Sequence, residues 1–362
     1  MKTRIFHIET GRHLYGGAHQ VIYLLAGLNG GAFENHLICP SGSAIFHGGK
    51  ECADACHPLP VRGELDLGFF ISICRLIQAL KPDIIHVHSR RGADIWGGLA
   101  GKMLGVRTVL TRRVDNPEPA WTTALKYRLY DRVIAISKGI FDILKTRIPI
   151  DKMACVPSAV DTDKFFPDGR RTWFVNEFGL SGADQTVGMI AQFIKRKGHA
   201  FALQAIPQIL AHCPDAKFLF FGKGPVFNEI VQTAKQRDLA KACIFAGFRT
   251  DLEKVLPCLD VVMHPALMEG LGVSLLQSAA SGVPIVSTPV GGIPEIVDHG
   301  SNGFLVPPKD ASALAAAVST LLTDQRMARA FGRNGQEKVK HYFSIEAMVH
   351  GNASIYRELM SS

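Results

Sequence analysis

The chain has 362 residues, more than one hydrophobic core usually organises, so its length predicts two domains. Because 47% of the residues are hydrophobic and only 20% are charged, disordered and fibrous classes are excluded. The formal net charge is +8, and residues 1–162 carry most of the excess, with 20 basic and 14 acidic side chains. An anionic lipid surface or a phosphorylated ligand would suit this basic half, as would a solvated face with ordinary ion pairs.

The basic side chains and the lengths of the apolar segments also limit which partners and which cellular compartment we expect. Because the basic cluster between Arg90 and Arg132 lacks the regular aromatic interleaving of a single-strand nucleic-acid platform, we expect no nucleic-acid partner. No apolar run reaches the roughly 18 residues of a membrane span, and the opening MKTRIFHIET is interrupted too early for a signal peptide. We therefore expect a cytoplasmic protein that contacts a membrane at most peripherally, with its eight cysteines reduced.

Short apolar runs alternate with helical patterns along both halves of the chain. In order they are TRIFHI, ENHLICP, DIIHVH, VRTVLT, RVIAIS and MACVPS, then TVGMIAQF, AKFLFFG, ACIFAG, DVVMHP and VPIVST. Such unbroken apolarity is typical of parallel strands buried on both faces by crossover helices such as AHQVIYLLAGL. The sequence therefore predicts an α/β fold of two parallel-sheet domains facing across a cleft, joined at the hinge VPSAVDTDKFFPDGRR.

The loop after the first predicted strand, ETGRHLYGGAHQV, places two glycines ahead of a helix that we expect to begin near Ala18. Gly16 and Gly17 would let the backbone approach a ligand, and the N–H groups at a helix start favour an anion. The pattern is not GxGxxG, which argues against a dehydrogenase. The loop therefore indicates an anion site of another class.

Two loops of the second half repeat this device. GKGP, with Gly222, follows AKFLFFG, and ALMEGLGVSLLQSAASG follows DVVMHP. The backbone amides of residues 270–273 would cradle a diphosphate, which leaves Glu269 to accept hydrogen bonds from sugar hydroxyls. A further glycine turn ends in Glu295, which could equally contact this ligand or cap its helix. The combination is unusual for ordinary solvated loops.

Two motifs invite a metal, and we expect neither to bind one. Asp161-Thr162-Asp163 spells a metal-binding DxD, but it lies in the predicted hinge rather than at a ligand loop. Cys52, Cys56 and His57 have no second pair of ligands nearby, so they predict a loop with incidental thiols. The expected site therefore contains no metal.

These loops carry a resemblance to a known family. The second half resembles the retaining family 4 glycosyltransferases of the two-Rossmann-domain B-type (GT-B) fold through KGHAFALQAI, FFGKGP, HPALMEGLGVSLLQSAASGVPIVST, GGIPEIV and NGFLVPPKD, in their usual order. The first half is similar through YGGAHQ, PDIIHVHSRRGADIWGGLAG, DRVIAIS and VPSAVDTDKFFP. We accordingly place the Rossmann-like domains at residues 1–165 and 166–342, and the resemblance implies that the final helix, 343–362, crosses back to the N-terminal domain.

The resemblance implies transfer of a sugar from a nucleotide-sugar donor to a hydroxyl of a glycan or lipid-linked acceptor, in lipopolysaccharide, capsule or exopolysaccharide synthesis. The anomeric configuration would be retained, and neither a divalent metal nor a cofactor would be required. The donor, with UDP favoured over GDP or ADP, would lie on the C-terminal domain and the acceptor mainly on the N-terminal one. Because the departing phosphate would take the acceptor's proton, no enzyme base is implied.

The resemblance also implies roles for single residues. His88 would face the donor sugar, Lys197 would neutralise the leaving diphosphate, and Glu269 would hold donor-sugar hydroxyls. We expect His86, by contrast, to pack within the fold on the opposite side of its strand. The expected donor-binding residues lie in the loops after strands and at the start of the helices that follow these loops: Gly16, Gly17, Gln192, Arg196, Gly222, Gly270, Leu271, Gly272, Val273 and Gln277.

Two of these positions depart from the family pattern. Gln192 stands where the family has an arginine, and Arg196 could supply the missing charge. Gln277 stands where the family has the acid that binds the donor's ribose, although its amide oxygen can still accept a hydroxyl. These amides leave open a donor-binding pseudoenzyme with little activity. A nucleotide-sugar epimerase of the same fold is a further alternative.

Overall fold

The computed structural model describes residues 2–90, 92–116, 118 and 120–361, with the backbone alone at 120–122. The chain forms two compact units. The N-terminal unit comprises Met1–Ala159 and Ile345–Ser362, and the C-terminal unit comprises Val160–Ser344. The polypeptide therefore passes between the units twice.

The N-terminal unit is a parallel sheet with crossover helices. Its strands are β1 (Thr3–Ile8), β2 (Phe33–Pro40), β3 (Ala55–Leu59), β4 (Ile84–Val87), β5 (Arg107–Arg112), β6 (Arg132–Ala135) and β7 (Met153–Cys155). Its crossover helices are α1 (Gly16–Leu28), α2 (Ala44–Gly49), α3 (Leu67–Leu80), α4 (Ala93–Leu104), α5 (Ala120–Tyr127) and α6 (Lys138–Leu144). The strand order is β3-β2-β1-β4-β5-β6-β7, and every pair is parallel.

The C-terminal unit repeats this plan. Its strands are β8 (Gln185–Ile190), β9 (Ala216–Phe221), β10 (Cys243–Gly247), β11 (Val261–His264), β12 (Ile285–Ser287) and β13 (Gly303–Leu305). Its helices are α7 (Arg171–Phe178), α8 (His199–His212), α9 (Phe227–Gln236), α10 (Leu252–Val255), α11 (Val273–Ala280), α12 (Ile293–Ile296), α13 (Ala311–Thr323) and α14 (Gln325–Tyr342). The parallel strand order is β10-β9-β8-β11-β12-β13.

Both strand orders are those of a Rossmann fold, in which the chain reverses direction along the sheet at its first strand. The reversal lies between β1 and β4 in the N-terminal unit and between β8 and β11 in the C-terminal unit. Loops that leave the carboxyl ends of these neighbouring strands lie side by side, which is where open α/β sheets bind ligands. The prediction of two parallel-sheet, Rossmann-like domains is therefore confirmed.

The last helix, α15 (Ile345–Ser361), packs on the N-terminal unit, as the sequence predicts. Its buried side chains join a core cluster with Ile5 of β1, Leu24 of α1 and Phe33 of β2. Gly27 of α1 lies against the side chain of Val349, so a larger residue there would separate the two helices. The end of the chain thus completes the hydrophobic core of its beginning.

The eleven predicted strand segments all overlap observed strands, but the sequence missed two others. Cys56 and His57, assigned to a loop, lie in β3, a sheet-edge strand whose Pro58 and polar residues hide its apolar pattern. The second, β13, has only three residues, and the asparagine, glycine and prolines of NGFLVPP around it indicate a loop. Among the described residues, no helix combines the length and apolarity needed to cross a bilayer.

Candidate functional site

Lys197, Glu269 and His264 meet at the carboxyl edge of the C-terminal sheet. Lys197 ends the short 3₁₀ turn after β8, and Glu269 lies in the loop after β11, so the strand order places their loops side by side. Lys197 Nζ donates to Glu269 Oε2 at 2.5 Å, and His264 Nε2 donates to the same oxygen at 3.0 Å. The backbone N–H of Gly270 donates to Glu269 Oε1 at 3.2 Å. The carboxylate is therefore held through both oxygens.

Glu269 is ionised at neutral pH despite its burial. Burial alone would raise its pKa, but the hydrogen bond from His264 and the charge of Lys197 outweigh it and lower the pKa to about 2. Only 14% of its side-chain surface is exposed, so solvent screens these interactions weakly. A carboxylate with so low a pKa is a poor proton acceptor but a strong hydrogen-bond acceptor.

His264 is a residue of this site that the sequence analysis did not identify. It ends β11, five residues before Glu269, inside the quoted motif HPALMEG. Its Nδ1 is buried without a partner among the described residues, and nearby His199 is likewise unpartnered at both ring nitrogens. A signal existed, because a histidine at the carboxyl end of a buried parallel strand lies where such sheets bind ligands.

The turn that carries Arg196 and Lys197 is docked on the Glu269 loop through the backbone. Leu267 N–H donates to the carbonyl of Arg196 at 2.7 Å, and Gly198 ends the turn with φ of +79°. A Cβ atom on Gly198 would collide with the carbonyl oxygen of Pro265, so the close approach requires glycine. Arg196 lies 3.8 Å from the sulfur of Met268, one residue before Glu269, whereas the side chain of Gln192 is exposed.

The other donor-binding residues predicted in this unit lie along the same sheet edge. A Cβ atom on Gly222 would collide with the carbonyl oxygen of Ala191. Packing within the protein is therefore enough to explain why this residue is a glycine. Residues 270–272 precede α11, which begins at Val273 as expected, with Gly272 as its N-cap at φ of +105°. Gln277 lies four residues further along α11 and is partly exposed. Glu295 lies in the first turn of α12.

In the N-terminal unit, His88 belongs to a buried cluster with His7 and His86. His88 Nε2 lies 3.0 Å from His7 Nδ1, and the rings of His86 and His88 have centroids 3.8 Å apart. The expectation that His86 and His88 lie on opposite sides of the strand is therefore wrong. Residues two apart in a strand lie on the same face, since successive side chains alternate.

Burial lowers the pKa of His7 to about 4 and the pKa values of His86 and His88 well below their usual range, so all three rings are neutral. Arg113 donates to His88 Nδ1 at 3.4 Å, which leaves His88 Nε2 to donate to His7. His7 Nε2 then donates to Asn35 Oδ1 at 3.1 Å. The chain of hydrogen bonds fixes the tautomer of His88.

The histidine cluster has the composition of a metal site, but its ring nitrogens already have partners within the protein. His86 Nδ1 lies 2.5 Å from the Tyr356 hydroxyl, and His86 Nε2 lies 2.7 Å from Thr111 Oγ1. A metal ion would have to replace these bonds. Asp161 of the DxD motif likewise accepts the backbone N–H groups of Asp163 and Lys164, which closes a turn.

His88 also lines a pocket of about 220 Å³ at the carboxyl edge of the N-terminal sheet. Arg90, Arg113 and Glu9 form other parts of its wall. Gly16 and Gly17 are the first two residues of α1, which therefore begins two residues earlier than predicted. Gly17 packs against the side chain of Arg113, which lines this pocket, so the start of α1 lies next to the pocket.

Family models match both halves of the chain. Residues 15–164 match the model described as Glycosyltransferase Family 4, and residues 184–324 match that described as Glycosyl transferases group 1. The N-acetyl-alpha-D-glucosaminyl L-malate synthase of Bacillus anthracis is 26% identical over 97% of this chain and 92% of its own length.

A further relative and a solved structure give the same picture. The lipopolysaccharide core biosynthesis mannosyltransferase LpsB of Rhizobium meliloti is 26% identical over 75% of this chain and 79% of its own. The crystal structure of Anabaena Alr3699/HepE in complex with UDP and glucose superposes with a TM-score of 0.85 at 18% identity, covering 98% of this chain and 99% of that one. At that identity the structural match describes the fold.

Proposed function

The chain belongs to the family 4 glycosyltransferases and has their GT-B fold, and from this premise we propose that it transfers a sugar from a nucleotide-sugar donor to a hydroxyl of a glycan or lipid-linked acceptor. The transfer retains the anomeric configuration and needs no divalent metal. The observation that carries the proposal is the ionised Glu269, which Lys197 and His264 hold at the carboxyl edge of the sheet, just before α11 begins.

The contacts of this cluster support a donor site. A lysine ammonium has three donors, so Lys197 can bond a phosphate oxygen of the donor while it still bonds Glu269. The N-terminus of α11 supplies backbone N–H groups and a positive dipole end to the same diphosphate. Together they stabilise the charge that develops on the leaving nucleoside diphosphate, which lowers the barrier to its departure.

Glu269 acts in this proposal as an acceptor of sugar hydroxyls. A base with a pKa of about 2 cannot take a hydroxyl proton efficiently at neutral pH, so the proton of the acceptor passes to the departing phosphate. His264 positions the carboxylate. Catalysis then rests on positioning and electrostatics.

UDP is the favoured nucleotide, and an envelope glycan is the favoured product. The Anabaena structure contains UDP, and the Rhizobium relative takes part in lipopolysaccharide core synthesis. A peripheral contact with anionic lipid in the cytoplasm is supported by α3 and the loop before it. Leu65, Leu67 and Ile71 are exposed there beside the exposed Arg62 and Arg75, which suits a membrane surface.

A donor panel tests the proposal. The full chain is incubated with UDP-, GDP- and ADP-sugars, and thermal stability, nucleotide release and the sugar product are measured. We expect one donor to raise the melting temperature and to release its nucleotide slowly even without acceptor. Binding without release or transfer would instead indicate a pseudoenzyme, and an altered sugar without an acceptor product would indicate an epimerase.

Arg196 offers a sharper test of how the diphosphate is held. We expect Arg196→Ala to weaken donor binding and to slow transfer about tenfold or more, because the Gln192 position supplies no charge. The exposed neighbour Lys195, changed to alanine, is the matched control. Near-normal donor affinity in Arg196→Ala would show that Arg196 does not replace the family arginine.

A further inference from the structure

The pocket beside His88 is small, and most of the residues that line it have polar or charged side chains. Its volume of about 220 Å³ lies below the roughly 300–1,000 Å³ that encloses a drug-sized ligand, so it fits one part of a larger molecule. The hydroxyls of Thr10 and Ser89 line it, 2.9 Å apart, together with Arg90 and Arg113. The pocket therefore presents hydroxyl groups and guanidinium groups together.

Two buried cations of the pocket already have counter-ions. Arg112 NH1 donates to Glu118 at 2.8 Å, and Lys126 Nζ donates to Glu118 at 2.6 Å and to Asp94 at 3.1 Å. These four groups balance one another in charge. Arg90 lies 3.5 Å from Glu118 with 46% of its side chain exposed, so this ion pair is long and solvated.

Arg113 is different, because its guanidinium is enclosed but incompletely bonded. Its contact with His88 Nδ1 is long, at 3.4 Å, and its Nε is buried without a partner among the described residues. Burial lowers its pKa to about 10, although the charge of Glu9 opposes this change. Glu9 itself accepts the backbone N–H of Gly11 at 2.7 Å. A buried guanidinium with an unmade hydrogen bond is costly unless a ligand supplies an acceptor.

We propose that Arg113, assisted by Arg90, binds an anionic group of the acceptor, a carboxylate or a phosphate, in the pocket lined by Thr10 and Ser89. The guanidinium fork matches the paired oxygens of either group. Because Thr10 Oγ1 and Ser89 Oγ bond each other, one of the two hydroxyls, at most, donates to the same anion. This inference rests on the proposed transferase function and adds the chemical class of its acceptor.

Anion binding to the full chain tests this site without a donor or an acceptor. Inorganic phosphate and succinate are titrated separately by calorimetry, which distinguishes the two sources of charge. We expect at least one to bind, and Arg113→Gln to weaken that binding about tenfold to a hundredfold, as expected for a charge-assisted bond. Arg113→Lys keeps the charge but loses the paired guanidinium donors, so its affinity for the anion should lie between those of wild type and Arg113→Gln.

Two controls separate this pocket from other cationic sites. Arg128→Gln removes an exposed arginine outside the pocket and should leave binding unchanged. Lys235→Gln removes an exposed cation of the C-terminal unit and should also leave binding unchanged. Circular dichroism confirms that each variant is folded. Equal binding by wild type and Arg113→Gln, or no binding of either anion to wild type, would overturn the inference.

The outcomes also separate this inference from the proposed function. A chain that binds an anion through Arg113 but transfers no sugar from any donor would contradict the transferase proposal and leave the anion site standing. If the chain transfers sugar to uncharged acceptors, and Arg113→Gln does so at the same rate, the transferase proposal stands and the anion site is contradicted.

Discussion

Glu269 carries its negative charge in a largely buried position because a turn and the end of a strand each supply a side chain that holds it there. Lys197 and His264 both bond the same carboxylate oxygen. The sequence predicts Lys197 at the diphosphate and Glu269 free for the sugar, but it does not predict that the two side chains pair. Spacing along the chain could not reveal this, because the residues are 72 positions apart and meet only through the strand order.

Substitutions at Glu269 and Gln277 should have unequal effects on transfer and donor binding. Glu269→Gln should nearly abolish transfer, because a neutral amide loses both the charge-assisted bonds to sugar hydroxyls and the partner of Lys197. Gln277→Glu should keep activity or improve donor affinity, because a carboxylate binds a ribose hydroxyl more strongly than an amide does. Steady-state rates and donor dissociation constants measure both, and the reverse ranking would show that these residues are wrongly assigned.

The charge of Lys197 should control the pKa of Glu269. The folded chain lowers this pKa from its usual 4.5 to about 2, so the pair stabilises the fold above pH 4.5 and loses that contribution as the pH falls towards 2. In Lys197→Met, burial is less opposed, and we expect the pKa of Glu269 to rise by about one unit or more. A carboxyl-carbon NMR titration measures it, with Lys195→Met as control.

The same titration can contradict this account. An unchanged pKa in Lys197→Met would mean that His264 and the Gly270 N–H alone hold the carboxylate ionised.

The 3₁₀ turn of residues 195–197 positions Lys197 only because Gly198 allows close contact with the next loop. In Gly198→Ala, the left-handed φ and the collision with Pro265 both destabilise the folded state, by about 2–4 kcal/mol together. Gly179→Ala is the matched control, since Gly179 has φ of +62° with open space around it, and should cost about 1 kcal/mol. Urea unfolding compares them.

If both glycine variants lose the same free energy of unfolding, the 195–197 turn must accommodate the added Cβ atom without a further energetic cost. Weaker donor binding in Gly198→Ala alone would link the packing of the turn to the site.

Buried parallel strands were the elements most readily predicted, because both faces demand apolar side chains and the runs are unbroken. The edge strands β3 and β13 were missed although the edge strands β7 and β10 were predicted. The two missed strands are short and are interrupted or flanked by proline, glycine and polar residues, which hide an apolar run. The α1 boundary moved by two residues because Gly16 and Gly17 adopt helical geometry rather than a turn. Side-chain clusters such as His7, His86 and His88 depend on strand register, which no single segment encodes.

Helix α15 joins residues from the two ends of the chain in one core. Removing residues 345–362 exposes the cluster around Ile5, Leu24 and Phe33 and deletes several buried side chains, each worth about 1.5–3 kcal/mol. Because that total exceeds the margin of a typical domain, we expect the N-terminal unit of the truncated chain to unfold or aggregate. Removing residues 361–362 alone should have little effect. Limited proteolysis compares the two, and a protease-resistant N-terminal unit in the longer truncation would contradict the prediction.

The same helix sets an order of events on the ribosome. The C-terminal unit is one continuous stretch, so every segment of its core is synthesised before residue 345. The N-terminal unit is synthesised first but completed last, about 10 to 40 s later at ordinary elongation rates. During that interval the apolar faces of α1 and β2 have no covering helix. Production of this protein should therefore depend on chaperones that hold nascent chains, more than its size alone would suggest.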